Sequence, residues 1–244
     1  MITVNKKKIE GVVLKINDHK DNNSLVTLLT KNGLENFIVR GTKNINSKLS
    51  SIAQPLKFVE YFVTTNKQVN TVTEGQVIDN YTNIKNQKDK LLVAESICES
   101  IYYFSKHVED ANLLYEFFLE ILKYLKDTDY PLDLLNYFDI KMWYLTGISP
   151  LFTSCPICNN PNTNFFSISD GGNLCNNCRT NYCYDEYISH LVKISFLLKI
   201  DKLNEEFLKI MSEYRAKVNE IVKQYYLEHL DYQNFNRKLI EKLL

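Results

Sequence analysis

The period of the hydrophobic pattern changes near Tyr81, and this change limits the possible folds more than any other feature of the chain. Before it, apolar residues alternate loosely with polar ones and β-branched residues are frequent. After it, apolar residues recur every three or four positions. Alternation is typical of half-buried strands, and the longer spacing is typical of amphipathic helices. We therefore predict an α+β protein with a β domain over residues 1–80 and a helical domain over residues 81–244.

Five short strands are predicted in the first domain, arranged as two hairpins with one preceding strand. Asn32-Gly33 is a signal for a type I′ turn in the first hairpin, and a short polar turn at "NKQ" closes the second. Five strands are too few for a sandwich, so a closed barrel that removes the sheet edges fits better, and the OB-fold is the commonest case. The strands lie in IEGVVLKI, SLVTLLT, LENFIVRG, PLKFVEYFVTT and VNTVTEGQVI.

The second domain contains a series of predicted helices and one insert. Pro131 suits the first turn of one helix and Gly147 its C-terminal cap. The helical pattern is interrupted at about residues 153–183 and then resumes. The helical segments are QKDKLLVAESICESIYYFSKHV, ANLLYEFFLEILKYLKD, DYPLDLLNYFDIKMWYLTG, DEYISHLVKISFLLKI, NEEFLKIMSEY, AKVNEIVKQYYLEHL and RKLIEKLL.

The insert carries four cysteines in two C-x-x-C pairs separated by 16 residues. Each pair forms a tight turn, and a hairpin between them would bring the four thiolates together in the tetrahedral shell that Zn²⁺ prefers, with iron as the alternative. A closed shell leaves no position for a catalytic water, so we expect one structural zinc ion per chain. The predicted ligands are Cys155, Cys158, Cys175 and Cys178.

The remaining cysteines and the loop of the insert support a structural role. Cys183 is interpreted as a surface or packing thiol, because four ligands already suffice, and Cys98 as part of a helical core. The loop between the cysteine pairs contains no Lys or Arg. A module that reads DNA would need cations for the phosphates. We therefore interpret the insert as a clamp for a segment with little core of its own.

Composition indicates a globular chain with an uneven charge distribution. Apolar residues make up 45% of the 244 residues, which is enough for a buried core. No run of about 18 uncharged apolar residues and no signal-peptide pattern occurs, so we expect a cytoplasmic protein without a membrane span. Residues 1–80 carry 11 Lys and Arg against seven Asp and Glu, whereas residues 81–244 carry 18 against 22. A polyanion is therefore expected to bind near the N-terminus.

No catalytic constellation is recognisable, and we expect no enzymatic activity. Phosphate-binding, dinucleotide-binding and serine-nucleophile motifs are absent from the sequence. Asp18 and Asp21 lie in the polar connection NDHKDNN, where a solvated turn is a better interpretation than an acid–base pair. The four histidines have neither metal-ligand nor triad spacing, and they are His19, His107, His190 and His229.

A cationic loop follows the third predicted strand, in the stretch VRGTKNINSKLSS. It carries Arg40, Lys43 and Lys48, and cations at the mouth of a small barrel are typical of an electrostatic funnel for single-stranded nucleic acid. A solvated loop with three charges is the alternative. Phe37, Tyr61 and Phe62 have rings that could stack on bases, although aromatics on alternating strands usually pack the barrel core. The loop is thus the candidate DNA contact.

With these pieces assembled, the chain resembles the bacterial RecO family of recombination-mediator and DNA repair proteins. The stretch from Gly11 to Leu56 is similar to the N-terminal signature of that family, in which a D-x-x-[E/D] turn precedes a T-x-x-x-G hairpin, R-G-x-[K/R] and S-[K/R]-L before Q-P. Further similarities lie in LLYEFFLEILKYL, in CPIC…FFSISDGGNLCNNC and in YYLEHLDYQNFNRKLI. The similarity covers nearly the whole chain.

The resemblance implies an N-terminal OB-fold and a helical domain with bound zinc. It also implies binding of single- and double-stranded DNA, annealing of complementary strands, and action with RecR and single-stranded-DNA-binding protein to load RecA on gapped DNA. Because Arg40, Lys43 and Lys48 match R-G-x-[K/R] and S-[K/R], the resemblance implies that they contact DNA. Two other classes stay open: an RNA-binding or transcription-associated adaptor, and a zinc-dependent hydrolase, which would need an open metal site.

Overall fold

The computed structural model describes residues 6–44, 47–66 and 69–243. The chain forms two compact units, residues 1–122 and residues 123–244. Each unit has its own core and is described by itself. The sequence also predicts a domain boundary near Tyr81, at which the barrel could be separated from the helices. This boundary stays a prediction.

The first unit contains a closed five-stranded barrel. Around the barrel the strands follow the order β1-β2-β3-β5-β4, and β1 pairs with both β2 and β4, which closes the sheet. Neighbouring strands are antiparallel except β3 and β5, which are parallel at Ile38 and Thr71. This OB-type arrangement confirms the predicted barrel. The strands are β1 (Lys7–His19), β2 (Asn23–Thr30), β3 (Gly33–Val39), β4 (Phe58–Asn66) and β5 (Val69–Asp79).

Side chains from alternate strand positions fill the barrel. Phe37 and Tyr61 are fully buried, and their rings meet edge to face with centroids 5.7 Å apart. Gly75 lets the 3₁₀ turn Ser50–Ile52 pack closely, because a Cβ at this position would lie 2.6 Å from Ile52 Cδ1 and 2.9 Å from the Glu60 carbonyl oxygen. The other buried apolar residues of this core are Ile9, Val13, Val26, Leu28, Val39, Val59, Val63 and Val72.

The first hairpin differs from the prediction in its turn type. Thr30 pairs with Gly33, and the positive φ of 97° falls on Gly33, whereas Lys31 and Asn32 keep negative φ angles. A type I′ turn needs positive φ at both central residues, so that prediction is wrong; a turn followed by a left-handed glycine is the other common hairpin solution. The predicted second turn falls on residues 67–68, which lie outside the described residues.

Helices begin directly after the barrel. The first three are α1 (Thr82–Lys85), α2 (Lys88–Phe104) and α3 (Ala111–Asp127), and α3 continues into the second unit. In the first unit the Lys15 ammonium group lies over the Tyr102 ring of α2, 5.0 Å from its centroid. The described strands of the barrel all come from residues before Asn80.

The second unit is helical apart from one small hairpin, which confirms the predicted layout. Pro131 occupies the first turn of its helix, and Asp185 and Asn204 cap theirs by accepting hydrogen bonds from Ile188 and Phe207. None of the helices in the described part of the chain is long and apolar enough to cross a membrane. The elements are α4 (Pro131–Leu145), β6 (Phe165–Ser167), β7 (Gly172–Leu174), α5 (Glu186–Leu197), α6 (Glu205–Glu213), α7 (Arg215–Leu230) and α8 (Phe235–Leu243).

Candidate metal centre and nucleic-acid interface

The four predicted metal ligands meet at one end of the β6–β7 hairpin. The two strands are antiparallel, with Phe165 opposite Leu174 and Ser167 opposite Gly172. The chain before β6 and the chain after β7 therefore lie at the same end, and each contributes one C-x-x-C turn. The sulfur atoms of the four cysteines all lie within 4.8 Å of one another.

Backbone hydrogen bonds hold both cysteine turns. The Asn159 N–H donates to the Cys155 carbonyl oxygen at 2.9 Å, and the Arg179 N–H donates to the Cys175 carbonyl oxygen at 3.0 Å. Asn159 has a φ of 61°, a left-handed conformation that asparagine tolerates better than most residues. The two turns are thus built alike, and each directs two thiols towards the same point.

The sulfur spacing fits a small tetrahedral metal ion. Cys158 Sγ and Cys175 Sγ are 3.6 Å apart. Four sulfurs at the usual Zn–S distance of about 2.3 Å would be about 3.8 Å from one another. Cys155 and Cys175 are buried, whereas Cys158 is exposed, so the cluster lies at the surface of the hairpin. The four cysteines could therefore hold a metal ion.

The thiol pKa values show why a cation would complete this cluster. Burial raises the pKa of Cys155, but backbone N–H donors, led by those of Cys175 and Cys158, more than compensate and lower it to about 6. The side-chain hydrogen bond with Cys158, together with burial, raises the pKa of Cys178 to about 12. Neighbouring thiolates repel one another, so all four can be deprotonated together only when a positive ion lies between them.

The two other cysteines lie outside this cluster. Cys183 packs against Cys155 and Cys175, and its sulfur accepts a hydrogen bond from the Thr180 N–H at 3.4 Å. Cys98 is half-buried on α2, where burial raises the pKa of its thiol to about 12. Both positions agree with the interpretation of these residues as packing thiols.

Phe166 connects the hairpin to the core of the second unit. Its ring is stacked with Trp143 at a centroid distance of 6.3 Å and an interplanar angle of 3°. Phe152 and Tyr225 pack against the same ring at 5.9 and 5.8 Å. The hairpin therefore contributes a fully buried aromatic side chain to the helices that surround it.

Polar contacts fix the hairpin in the same place. The Phe166 N–H donates to Ser189 Oγ at 2.6 Å, and the Tyr184 N–H donates to the Phe166 carbonyl oxygen at 2.9 Å. On its other side, His229 Nε2 lies 2.9 Å from the Ile168 carbonyl oxygen. A Cβ at Gly172 would lie 2.4 Å from the Leu151 carbonyl oxygen, so this strand position requires glycine. The cysteine module is part of the second unit and is bound to α5 and α7.

The predicted DNA contacts lie in the loop that follows β3. Arg40, Lys43 and Lys48 are all exposed, and residues 45–46 between them are outside the described residues. Among the described residues, Arg40 and Lys48 form no ion pair, whereas Lys43 Nζ lies 3.0 Å from Asp18 Oδ2. Two of the three cations thus face solvent without a carboxylate partner in the part of the chain that the structure describes.

The start of this loop is attached to the turn between β1 and β2. The Gly41 N–H donates to Asn23 Oδ1 at 3.1 Å, and the Lys43 N–H donates to the Asn22 carbonyl oxygen at 3.4 Å. Ser24 Oγ and Thr42 Oγ1 are 2.6 Å apart. These contacts fix the backbone that carries Arg40 and Lys43 to the rim of the barrel.

The end of the loop is held from inside the barrel. The Tyr61 hydroxyl donates to the Ile52 carbonyl oxygen at 2.7 Å, and the Lys57 ammonium group donates to the Ser51 carbonyl oxygen at the same distance. Lys57 is only 8% exposed, and burial lowers its pKa. Ser51 Oγ in turn donates to the Lys48 carbonyl oxygen at 3.0 Å. Both buried donors therefore support the segment that presents Lys48.

Two of the three aromatic residues considered for base stacking are buried inside the barrel. Phe37 and Tyr61 are fully buried and belong to the barrel core, and Phe62 is half-buried. Phe37 and Tyr61 therefore pack the barrel core, as aromatic residues on alternating strands usually do. Asp18 and Lys57 also contact this segment, and the sequence pattern of the loop does not reveal either of them. Strand register brings Asp18 beside the loop, and the fold of the segment before β4 returns Lys57 to Ser51.

The fold and the cluster together define an OB-barrel protein with a helical domain that carries a Cys₄ module. The family model for the N-terminal part of recombination protein O matches residues 1–81, and the model for its C-terminal part matches residues 86–238. The chain belongs to the recombination protein O family.

Several similar proteins carry the name DNA repair protein RecO. The protein of Bacillus subtilis (strain 168) is 28% identical over 229 residues, which cover 91% of this chain and 89% of that protein. The protein of Alkaliphilus metalliredigens (strain QYMF) is 27% identical over 241 residues, which cover 96% of this chain and 98% of that protein. Each match therefore covers about nine tenths or more of both proteins.

Proposed function

We propose that this chain is a non-enzymatic DNA repair mediator that binds single- and double-stranded DNA and anneals complementary strands. The observation that carries the proposal is the match of both family models to a chain whose barrel presents a cationic loop. Relatives over nearly the whole chain are named DNA repair proteins. Such a protein would act in the cytoplasm, at the nucleoid.

In this proposal, Arg40, Lys43 and Lys48 contact DNA phosphates. Contacts to phosphates position a strand without reading its sequence, so base pairing between two bound strands would supply the specificity. The loop is fixed at both ends, by the β1–β2 turn and by Tyr61 and Lys57. Loop ends that are already held in place lose less conformational entropy when DNA binds.

We further propose Zn²⁺ as the ion held by the four cysteines, in a structural role. Four thiolates occupy every position of a tetrahedral shell, which leaves none for a substrate or a water. The contacts of Phe166 with Trp143 and Ser189 tie the module to the core, as expected for a folding element. X-ray absorption at the zinc edge should show four sulfur neighbours; an oxygen or nitrogen neighbour would favour an open, hydrolase-type site.

The proposed partners are RecR and single-stranded-DNA-binding protein, with loading of RecA as the outcome. The deciding experiment is annealing of complementary oligonucleotides coated with the cognate single-stranded-DNA-binding protein. We expect this chain to accelerate annealing, and RecA to assemble faster on coated, gapped DNA when RecR is also present. Binding to RNA in preference to both forms of DNA, without annealing, would instead favour the RNA-binding or transcription-associated adaptor.

A further inference from the structure

Lys43 differs from the other two loop cations because its charge is already paired. Its ammonium group lies 3.0 Å from the carboxylate of Asp18, and both side chains are accessible, at 43% and 82% exposure. Arg40 and Lys48 have no such partner among the described residues. A DNA phosphate that binds Lys43 must therefore compete with a carboxylate of the protein itself.

The strand register creates this pair. Asp18 pairs with Ser24 across β1 and β2, and Ser24 pairs with Val39 across β2 and β3. Asp18 therefore lies at the rim of the barrel where β3 ends and the cationic loop begins. The hydrogen bond from the Lys43 N–H to the Asn22 carbonyl oxygen then places Lys43 beside the same rim. The pair is a consequence of the barrel topology and not of neighbouring positions in the sequence.

We propose that Asp18 is an intramolecular competitor of DNA phosphate for Lys43, and that it limits the affinity of the loop for DNA. The proposal rests on the proposed DNA-binding function of this loop. In free protein the carboxylate neutralises Lys43. In the complex the ammonium group of Lys43 binds the DNA phosphate instead. The carboxylate of Asp18 is then left unpaired close to a negatively charged strand.

Two measurable consequences follow from this exchange. The exposed ion pair must be given up on binding, and such pairs are worth about 0.2–1 kcal/mol, which corresponds to an affinity lowered by a factor of about 1.4 to 5. The net release of counterions on binding is also smaller than it would be for an unpaired lysine, because Asp18 already neutralises the charge of Lys43. The slope of log K against log salt is therefore expected to be shallower by up to about 0.7 for single-stranded DNA.

The chain offers a matched control for the experiment. Asp21 lies in the β1–β2 turn, three residues after the strand residue Asp18; it is exposed and forms no ion pair among the described residues. Asp18→Asn and Asp21→Asn change the net charge equally, so their difference isolates the contact with Lys43. Asn suits the left-handed conformation of Asp21, whose φ is 58°. Thermal unfolding would establish that both variants are folded.

The experiment measures binding of fluorescent oligodeoxythymidylate at several salt concentrations. Asp18→Asn should bind more tightly than Asp21→Asn, by a factor of about 1.4 to 5, with a steeper salt dependence. In a Lys43→Gln background the two substitutions should have equal effects. Equal effects in the unsubstituted protein would overturn the proposal, and so would an Asp18→Asn effect that persists without Lys43.

Failure of the proposed DNA-binding function would give a different result from failure of the competition. If the unsubstituted protein showed no salt-dependent binding to DNA, the function and the competition would both be wrong. If it bound and annealed DNA while Asp18→Asn and Asp21→Asn behaved alike, only the competition would be wrong.

Discussion

The Tyr61 hydroxyl group donates a 2.7 Å hydrogen bond to the backbone carbonyl oxygen of Ile52, inside the barrel. Ile52 ends the 3₁₀ turn that follows the cationic loop, so one buried contact connects the barrel core to the segment that presents Lys48. Burial raises the pKa of Tyr61 well above its ordinary value, so the hydroxyl stays a hydrogen-bond donor at neutral pH.

Tyr61→Phe removes this donor and keeps the ring. It should lower the free energy of unfolding by about 1–3 kcal/mol, because a buried carbonyl group loses its partner. DNA affinity should fall without a change in salt dependence, since no cation is removed. Urea denaturation and DNA titration test this, with Tyr144→Phe as the control because Tyr144 is 64% exposed. Unchanged stability would mean that the hydroxyl does not support the turn.

Cys175→Ser should reduce zinc content and weaken folding of the second unit. Structural zinc is worth roughly 10–16 kcal/mol to small zinc-finger peptides, and a unit with its own core should lose less. Any loss of DNA binding should then follow the loss of folded protein. Elemental analysis and thermal unfolding measure both effects, and Cys183→Ser is the matched control. A folded Cys175→Ser protein that fails to bind DNA would make the module the nucleic-acid reader.

Arg40→Glu combined with Lys43→Glu and Lys48→Glu should reduce single-strand affinity and annealing. Loss of the three phosphate contacts should reduce the slope of log K against log salt by about 1.4–2, at about 0.7 each for Arg40 and Lys48 and less for Lys43, which Asp18 already neutralises. The free energy of unfolding should stay within about 1 kcal/mol, because all three side chains are exposed.

The control for the loop variant has the same charge change in the second unit. Lys199, Lys202 and Lys209 are exposed there, and their replacement by Glu should leave DNA binding largely intact. Equal losses in the two variants would show that net charge, and not the loop, governs binding.

Because of Glu60, the free energy of unfolding of the barrel should fall at acid pH. The side-chain hydrogen bond from Lys8, at 2.5 Å, lowers the pKa of Glu60 below its ordinary value of 4.5. A lowered folded-state pKa gives stability that is present above pH 4.5 and is lost as the pH falls through the folded pKa. Urea denaturation across this range should show a weaker pH dependence for Glu60→Gln. An identical pH dependence would mean that the pair does not act on folding.

Arg237 of α8 is buried against α4 and α7 of the second unit. Its guanidinium group pairs with Asp139 and also donates to Asn219 Oδ1 at 2.9 Å. Arg237→Met should lower the free energy of unfolding by about 3–5 kcal/mol, because the Asp139 carboxylate would be left buried and unpaired. Restoring stability with the additional change Asp139→Leu would confirm the mechanism. A loss below about 1 kcal/mol for Arg237→Met alone would show that water reaches the carboxylate.

The sequence alone determined the elements and the four cysteines that come together. Alternation before Tyr81 and the longer period after it predicted the barrel and the helices, because each period reflects which side chains one element can bury. The C-x-x-C spacing predicted the cysteine cluster, since a turn of that length directs both thiols to one side. Pro131 was placed correctly for the same local reason: a fixed φ suits the first turn of a helix.

Only the tertiary structure decided which contacts form between elements that are distant in the sequence. The ion pair of Lys43 with Asp18, the hydrogen bond from Tyr61 to Ile52 and the stacking of Phe166 on Trp143 all depend on strand register and helix packing. The turn at Gly33 belongs here as well, because the Asn-Gly dipeptide predicted a type I′ turn, whereas the pairing of Thr30 with Gly33 leaves the positive φ on the glycine alone. Local patterns fix which face of an element is apolar, but a long-range contact needs the geometry of both partners at once.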